Sequence, residues 1–399
     1  MPRVSVQRKV CWFIATANWP SPVYCSLSTL DSHNLFSAIP DFRQAQGKRY
    51  SLRAILSLAA AAMLCGYRSY SAIAEWGRNY GQALAAALGF TNGTTPCAAT
   101  LHTIFCHLDK QAFEAQLGGW AEAVLSATPV AQLEAEAIDG KSLRGSQKQG
   151  AVGAHLLSVV SHRLGLTLLQ RAVPEKTNEI SAAHELLSEL ILEGRVITMD
   201  ALLTQRKLAE AILQQGGRYV MIAKENQAEL RKWIKALFDE PQWLREPPQV
   251  AESLEVGHGR VEKRHLQASS ALADHELWPG LEQVFAIKRT VTHQKSGKRS
   301  QEVVYGCTNL TKEQANAEML MKLVRGHWRI ENQSHWVRDV TFDEDHGQVR
   351  KGNIPQVMAA LRNMVIGLMR KTGENNIAAA CRKFAAQPQA ALALIGIKT

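Results

Sequence analysis

Leu133-Glu-Ala-Glu-Ala-Ile-Asp139-Gly140-Lys141-Ser142 and, further on, Arg195-Val-Ile-Thr-Met199-Asp200 decide the fold. In the first stretch Leu133, Ala135 and Ala137 alternate with polar residues, so they share one strand face with Asp139. The second is a short apolar run that stops at an aspartate. Each predicted strand therefore delivers a carboxylate to its end. Around them, residues 155–160 and 164–173 read as a hairpin about Leu164-Gly165. A helix is predicted over 179–192, another over 201–215, a strand over 219–223 and a third helix over 227–238. Strands alternating with helices of this length predict an α/β sheet with antiparallel strands at its start.

Upstream the texture differs. Residues 34–130 are Ala- and Leu-rich with helical period, as in Ser51-Leu-Arg-Ala-Ile-Leu-Ser-Leu, and are punctuated by Gly66, Gly89 and Asn92-Gly93. They predict an all-helical N-terminal domain, with 1–33 as an extension of low information. The main α/β domain spans 131–371. Within it the helical signal fades between about 241 and 310, where four strand-like pieces predict a β-rich insertion. Thr311-x-x-Gln314 then offers a capping box, opening a helix expected to run to Trp336. Residues 372–399 read as a basic tail; from His346 onward there are eight Lys/Arg against one acid, Glu374.

Composition narrows the function. The 399 residues carry 46 Lys+Arg against 36 Asp+Glu, a formal charge of +10, which points to a polyanionic partner, although an acidic protein ligand or a membrane surface would fit the same number. Seven cysteines without regular spacing exclude a disulfide framework, and no C-x-x-C pair exists for zinc or redox chemistry. The longest apolar run, residues 54–65, is too short to span a bilayer. A cytoplasmic protein without a membrane partner is expected.

Three carboxylates stand out, each with a plainer explanation. Asp139-Gly140 is a common turn dipeptide. Asp200 could simply cap a helix, although ligands gather at the carboxyl ends of strands in α/β sheets. Glu331 falls on the face marked by Leu320, Val324 and His327, so it is expected to be buried opposite a cation or a hydrogen-bond donor, the plainer explanation being a fraying helix end whose glutamate turns to water. Gly140-Lys141-Ser142 imitates the end of a phosphate-binding loop, but the loop needs glycine where Ala135 stands. His327, Glu331 and His335 at four-residue spacing invite a zinc reading, without the His-Glu-x-x-His signature. Arg325, Arg329 and Arg338 with Trp328 and Trp336 could grip phosphates and stack a base, solvated charge being their default explanation.

Taken in order, these stretches resemble the DDE transposases of bacterial insertion sequences, most closely the ISAs-type group with the H-repeat-associated proteins of Rhs elements. The motifs are Ala137-Ile-Asp-Gly-Lys-Ser-Leu-Arg-Gly145, Lys176-Thr-Asn-Glu-Ile180, Thr198-Met-Asp-Ala201, Lys224-x-Asn-Gln227, Gly257-His-Gly-Arg260 and His327-Trp-x-Ile-Glu-Asn332. His335-Trp336-x-x-Asp-Val-Thr-Phe342 with Glu344-Asp345 follows, and Ile39-Pro-Asp-x-Arg43 matches the group's N-terminal associated domain. The resemblance covers residue 34 to the C-terminus. Departures are Leu203, where relatives often carry His, and Val324 and His327, where the wider clan has Tyr and Arg.

The resemblance implies an RNase-H-like catalytic core with Asp139, Asp200 and Glu331 as the catalytic and metal-binding triad. Two Mg²⁺ ions, replaceable by Mn²⁺, would serve cleavage and strand transfer. It further implies double-stranded DNA as partner, at element ends and target, and a homodimer to bring two ends together. Lys141, Arg144, Lys224, Asn226, Arg325, Trp328 and Arg338 are the expected DNA contacts. Two rivals share the triad: a domesticated or defective descendant that only binds DNA, and a metal-dependent nuclease that cuts without joining.

Overall fold

Ser51 starts the first long helix, its hydroxyl accepting from the Ala54 backbone N–H at 3.1 Å. The computed structural model describes residues 35–129, 133–147, 153–174, 178–240, 242, 244 and 246–397. The extension at 1–33 lies outside the described residues. In α1 (Leu52–Leu64) every residue but Arg53 is buried. Helices α2 (Tyr70–Asn79), α3 (Gly81–Ala87), α4 (Ala98–His107) and α5 (Lys110–Ser126) follow. The last of these lies on the sheet, where a side chain in place of Gly118 would stand 2.4 Å from the Leu168 carbonyl.

The strands are β1 (Glu134–Ser142), β2 (His155–Ser161), β3 (Thr167–Val173), β4 (Arg195–Met199), β5 (Arg218–Ala223), β6 (Gln249–Gly257), β7 (Arg260–Ser269), β8 (Gln283–His293) and β9 (Arg299–Thr308). They form one sheet in the order β3-β2-β1-β4-β5-β9-β8-β7-β6. β1, β4 and β5 are parallel, and all other neighbours are antiparallel. The β-rich stretch is therefore continuous with the main sheet through β5 and β9. Helices α6 (Glu179–Leu187), α7 (Arg206–Gln214) and α8 (Ala228–Asp239) pack against the strands, and α9 (Ala317–Ile330) crosses β1, β4, β5, β6 and β7. Strand alternation puts Ala135, Val196, Val220 and Ile222 under α9 with Leu320 and Val324. The turn Gly257-His-Gly-Arg260 joins β6 to β7 with His258 at φ 51° and Gly259 at 71°, the conformation of tight hairpins.

Several expected elements differ. The helix predicted from 201 begins at Arg206, because residues 201–204 form a tied turn after Asp200. Thr311 and Gln314 exchange both capping-box bonds, at 3.1 and 3.4 Å, but over a turn. Asn316 caps α9 instead, accepting from Met319 N–H at 2.9 Å. Beyond α10 (Ile354–Lys371), the residues expected as a basic tail fold into α11 (Ile377–Ala386) and α12 (Pro388–Leu394). These bury Ile377, Phe384 and Leu392 in the core and pack on α1. Three of the eight late basic residues, Arg362, Arg370 and Lys371, belong to α10, where Arg362 is buried. Cutting the chain after Lys371 should thus unfold it rather than merely weaken binding.

The apolar core runs from the helices into β2 and β3, so residue 130 divides sequence textures, not cores. Glu114 sits at that seam. Its carboxylate accepts from Gln170 Nε2 at 2.7 Å and from Gln356 Nε2 at 2.8 Å, and burial pushes its pKa up to about 7. The folded chain therefore holds a proton that the unfolded chain has lost above the ordinary glutamate range. Stability should fall as pH rises from about 4.5 to 7 and level off above. Glu114→Gln should remove this slope and raise stability at pH 8 by about 2 kcal/mol, read by urea unfolding at pH 5 and 8.

Candidate active site

β1 and β4 run parallel with Ala137 opposite Thr198 and Ile138 opposite Met199, so Asp139 and Asp200 come next, side by side. By strand alternation both continue the α9-facing side, after Ala135 and Ala137 in β1 and Val196 and Thr198 in β4, and both leave the parallel pair at its carboxyl end. The Asp139-Gly140 pair is not a turn. β1 continues beside β2 as far as Ser142 opposite His155. Gly140 N–H donates to Asp139 Oδ1 at 2.8 Å. A Cβ at position 140 would stand 2.8 Å from His155 Nε2 and 3.1 Å from Glu179 Oε2, which is why glycine follows the aspartate.

Asp200 is fixed by the turn after it. Its Oδ1 accepts from Leu203 N–H at 3.2 Å, and the buried Thr204 hydroxyl lies 2.9 Å from the Asp200 carbonyl and 2.8 Å from that of Ile222. Asn226 Nδ2 donates to the Ala201 carbonyl at 2.5 Å, and Gln227 Nε2 to that of Thr204 at 2.9 Å. The Lys224-x-Asn-Gln227 motif is therefore a brace for the aspartate loop.

Glu331 departs from the expected burial. Leu320, Val324 and His327 are buried as the helical period predicts, but the Glu331 side chain is 73% exposed. After Ile330 the backbone becomes π-helical over Glu331–His335 and again over Val337–Thr341, with i→i+5 bonding that alters the facing of successive side chains. The carboxylate thereby reaches an open cavity of about 340 Å³ lined by Asp139, Asp200, Lys224, Arg289, Trp328 and Glu331. Ligand atoms of Asp139, Glu331 and His335 all lie within 4.8 Å of one another.

Burial pushes the Asp139 carboxyl up to about 7, and the charges of Asp200, Glu331 and Glu179 add to the effect. His335 is held neutral, down to about 3, by burial with Arg338 and Lys141 nearby. His327 is lowered to about 4, again by burial. Its Nδ1 lies 3.1 Å from the Thr198 hydroxyl, which also meets His162 Nε2 at 2.9 Å. The trio of His327, Glu331 and His335 weighed for zinc is thus divided: His327 bonds the strand beneath, while the other two converge on Asp139.

The expected DNA contacts also divide. Arg338 is wholly buried and grips Glu344 at 2.7 and 2.8 Å, so it has no access to a phosphate. Lys141 is buried against Asp339 at 2.6 Å, Arg325 pairs with Glu255, and Asn226 is spent on the loop. Lys224 is exposed at the cavity, Trp328 forms part of its wall, and Arg144 is 78% exposed. Sequence reading missed Arg289, which reaches the cavity from β8, and the pair His155–Glu179 at 2.7 Å. Glu179 had a signal in Lys176-Thr-Asn-Glu-Ile180, although 176 and 177 lie outside the described residues; Arg289 had none.

Comparison with known proteins covers both the helical region and the sheet. Residues 33–121 match a family described as DDE_Tnp_1-associated, and residues 132–368 match the Transposase DDE domain. "Putative transposase YncI" of Escherichia coli O157:H7 is 30% identical over 342 residues, 84% of this chain and 86% of that protein. "H repeat-associated putative transposase YhhI" of Escherichia coli K12 is 29% identical over 345 residues, 84% of this chain and 88% of that protein. A solved structure titled "Cryo-EM structure of piggyBac transposase synaptic complex with hairpin DNA (SNHP)" aligns over 91% of this chain and 80% of that one. At TM-score 0.40 and 12% identity it is too remote to carry an argument. The family matches and the curated relatives agree with the ordered motifs around Asp139, Asp200 and Glu331: the chain belongs to the DDE transposases, in their H-repeat-associated group.

Proposed function

We propose that this transposase cleaves DNA at the ends of its element and transfers the freed strand to target DNA, using Asp139, Asp200 and Glu331 as catalytic metal ligands. The observation that carries the reading is the convergence of the three carboxylates on one cavity, with Asp139 lifted to about 7 by burial and by its acidic neighbours. Such crowding fits a divalent cation, which would keep all three ionised. The order β3-β2-β1-β4-β5 supports an RNase-H-like core.

Asp139, Asp200 and Glu331 would together hold two Mg²⁺ ions, for which Mn²⁺ would substitute. When bound, the pair supplies charge stabilisation at the attacking and leaving oxygens of an in-line displacement at phosphorus. The protein's own part is placement. Thr204, Asn226 and Gln227 hold the Asp200 loop, Gly140 N–H orients Asp139, and Lys224 offers its charge at the cavity. Water attacks first and frees a 3′-hydroxyl, which then attacks target DNA. One phosphodiester replaces another, so no nucleotide cofactor is needed. Bringing two ends together calls for a homodimer on double-stranded DNA, and in a bacterium that DNA lies in the cytoplasm. Among the described residues no helix is long and apolar enough to cross a membrane.

The test is a joining assay with a duplex carrying the element's terminal repeat and a supercoiled target plasmid. Joined product is expected with Mg²⁺. Nicks without joining would assign a nuclease, and binding without cleavage a DNA-binding descendant. Neutralising about six phosphates should give a log K against log salt slope of roughly −5, and Lys224→Gln should flatten it by about 1. A salt-independent affinity would remove the DNA reading.

A further inference from the structure

The imidazole of His335 is unexplained by the carboxylate triad. Its side chain is only 7% exposed, and it sits in the π-helical turn four residues after Glu331. Nδ1 stands 3.6 Å from Asp139 Oδ2 and 3.8 Å from Glu331 Oε2, both too long for a hydrogen bond. Among the described residues no other carboxylate pairs with this ring. A nine-tenths-buried ring nitrogen facing two carboxylate oxygens at these separations has the spacing of ligands around a common ion, not of a bonded trio. The nearby cations are occupied elsewhere: Lys141 pairs with Asp339, and Arg338 with Glu344.

We infer that His335 is a metal ligand, completing with Asp139 and Glu331 a mixed nitrogen–oxygen position that favours Mn²⁺ or another imidazole-binding cation over Mg²⁺. The inference rests on the metal-site reading above and deepens it. Carboxylate and water suit Mg²⁺, whereas imidazole is a better ligand for later divalent ions. Asp200 lies outside the cluster of three ligands and is left to serve the second position. The π-helical turn holds Glu331 and His335 where both reach Asp139, and wide turns of this kind recur at functional sites.

Metal binding to the full chain without DNA tests this. Titration calorimetry should show Mn²⁺ binding about tenfold tighter than Mg²⁺, and His335→Asn should lose most of that preference. Loss of both metals alike, or of neither, would overturn the assignment. Pulsed electron paramagnetic resonance of Mn²⁺ bound to the unaltered protein needs no variant: a directly coordinated nitrogen is expected, and an all-oxygen shell would sink the inference. Both readouts are independent of cleavage. A nitrogen-ligated Mn²⁺ in a protein that never joins DNA would defeat the transposition reading and leave this one standing.

Discussion

Asp139→Asn should lower strand cleavage by about 10³-fold, equivalent to about 4 kcal/mol of lost charge stabilisation, while binding to DNA ends persists. Of the three carboxylates this one should cost most. Asp139 is the member of the set that lies beside Asp200 along the parallel strands and within reach of Glu331 and His335. Folding should survive, because the change removes a carboxyl that burial and acidic neighbours already disfavour as an anion. Asp200→Asn and Glu331→Gln should follow the same pattern with Mg²⁺ or Mn²⁺, and Ca²⁺ should support binding with little turnover. The control is Asp343, exposed with its carboxylate 2.7 Å from His346 Nδ1. Its φ of 54° is one that asparagine tolerates, so Asp343→Asn should stay near parent activity. Gel-resolved cleavage near the parent rate in Asp139→Asn would end the assignment of this residue.

Glu344→Gln should destabilise the fold by about 3–5 kcal/mol, the effect of leaving buried charges without their partner. Glu344 is the hinge of a buried trio: Arg338 reaches Oε2 at 2.7 Å, and Arg362, from α10, reaches Oε1 at 2.8 Å. Burial alone would raise this carboxyl, but the two guanidiniums more than offset it and hold its pKa below the usual range. The stability it contributes is therefore present above the ordinary glutamate pKa and lost as the pH falls below it. Chemical denaturation should show the loss at pH 7. Replacing all three residues by apolar ones of similar volume should recover much of it, as for other buried ion clusters. An unchanged midpoint in Glu344→Gln would show the trio to be idle. For the same reason neither Glu344 nor Glu136, fully buried against Arg195, serves as a neutral control for the triad.

How much was legible followed from the range of each signal. Strand β4 is read correctly to the residue because a short apolar run between polar flanks is a local pattern. Asp139 and Asp200 are legible as strand-end carboxylates for the same reason. Glu331 was legible in identity through the ordered motifs but not in environment: helical periodicity extrapolates an α-helix past Ile330, where the backbone ceases to be one. The charged residues misled most. Arg338 and Lys141 are expected to contact DNA, yet both are buried in ion pairs that join separate elements: Lys141 with Asp339, 198 residues along the chain, and Arg338 sharing Glu344 with Arg362 of α10. Nothing local marks a cation whose partner arrives from another element. The continuation of the sheet through β5 and β9 is a pairing of that same non-local kind.

The continuous sheet also sets a timetable. A ribosome releases β1 and β4 early, but α9, which carries the chain to Glu331, packs on β6 and β7 as well as on β1, β4 and β5. The core under α1 then waits for α10, α11 and α12, which emerge about three hundred residues after it. A nascent or prematurely ended chain thus holds two aspartates without the glutamate, or a glutamate on an open core. For a protein read as cutting the DNA of the cell that makes it, the three carboxylates come together only after α9 and the helices behind it have been made, so fragments that stop short of them are expected to be inert.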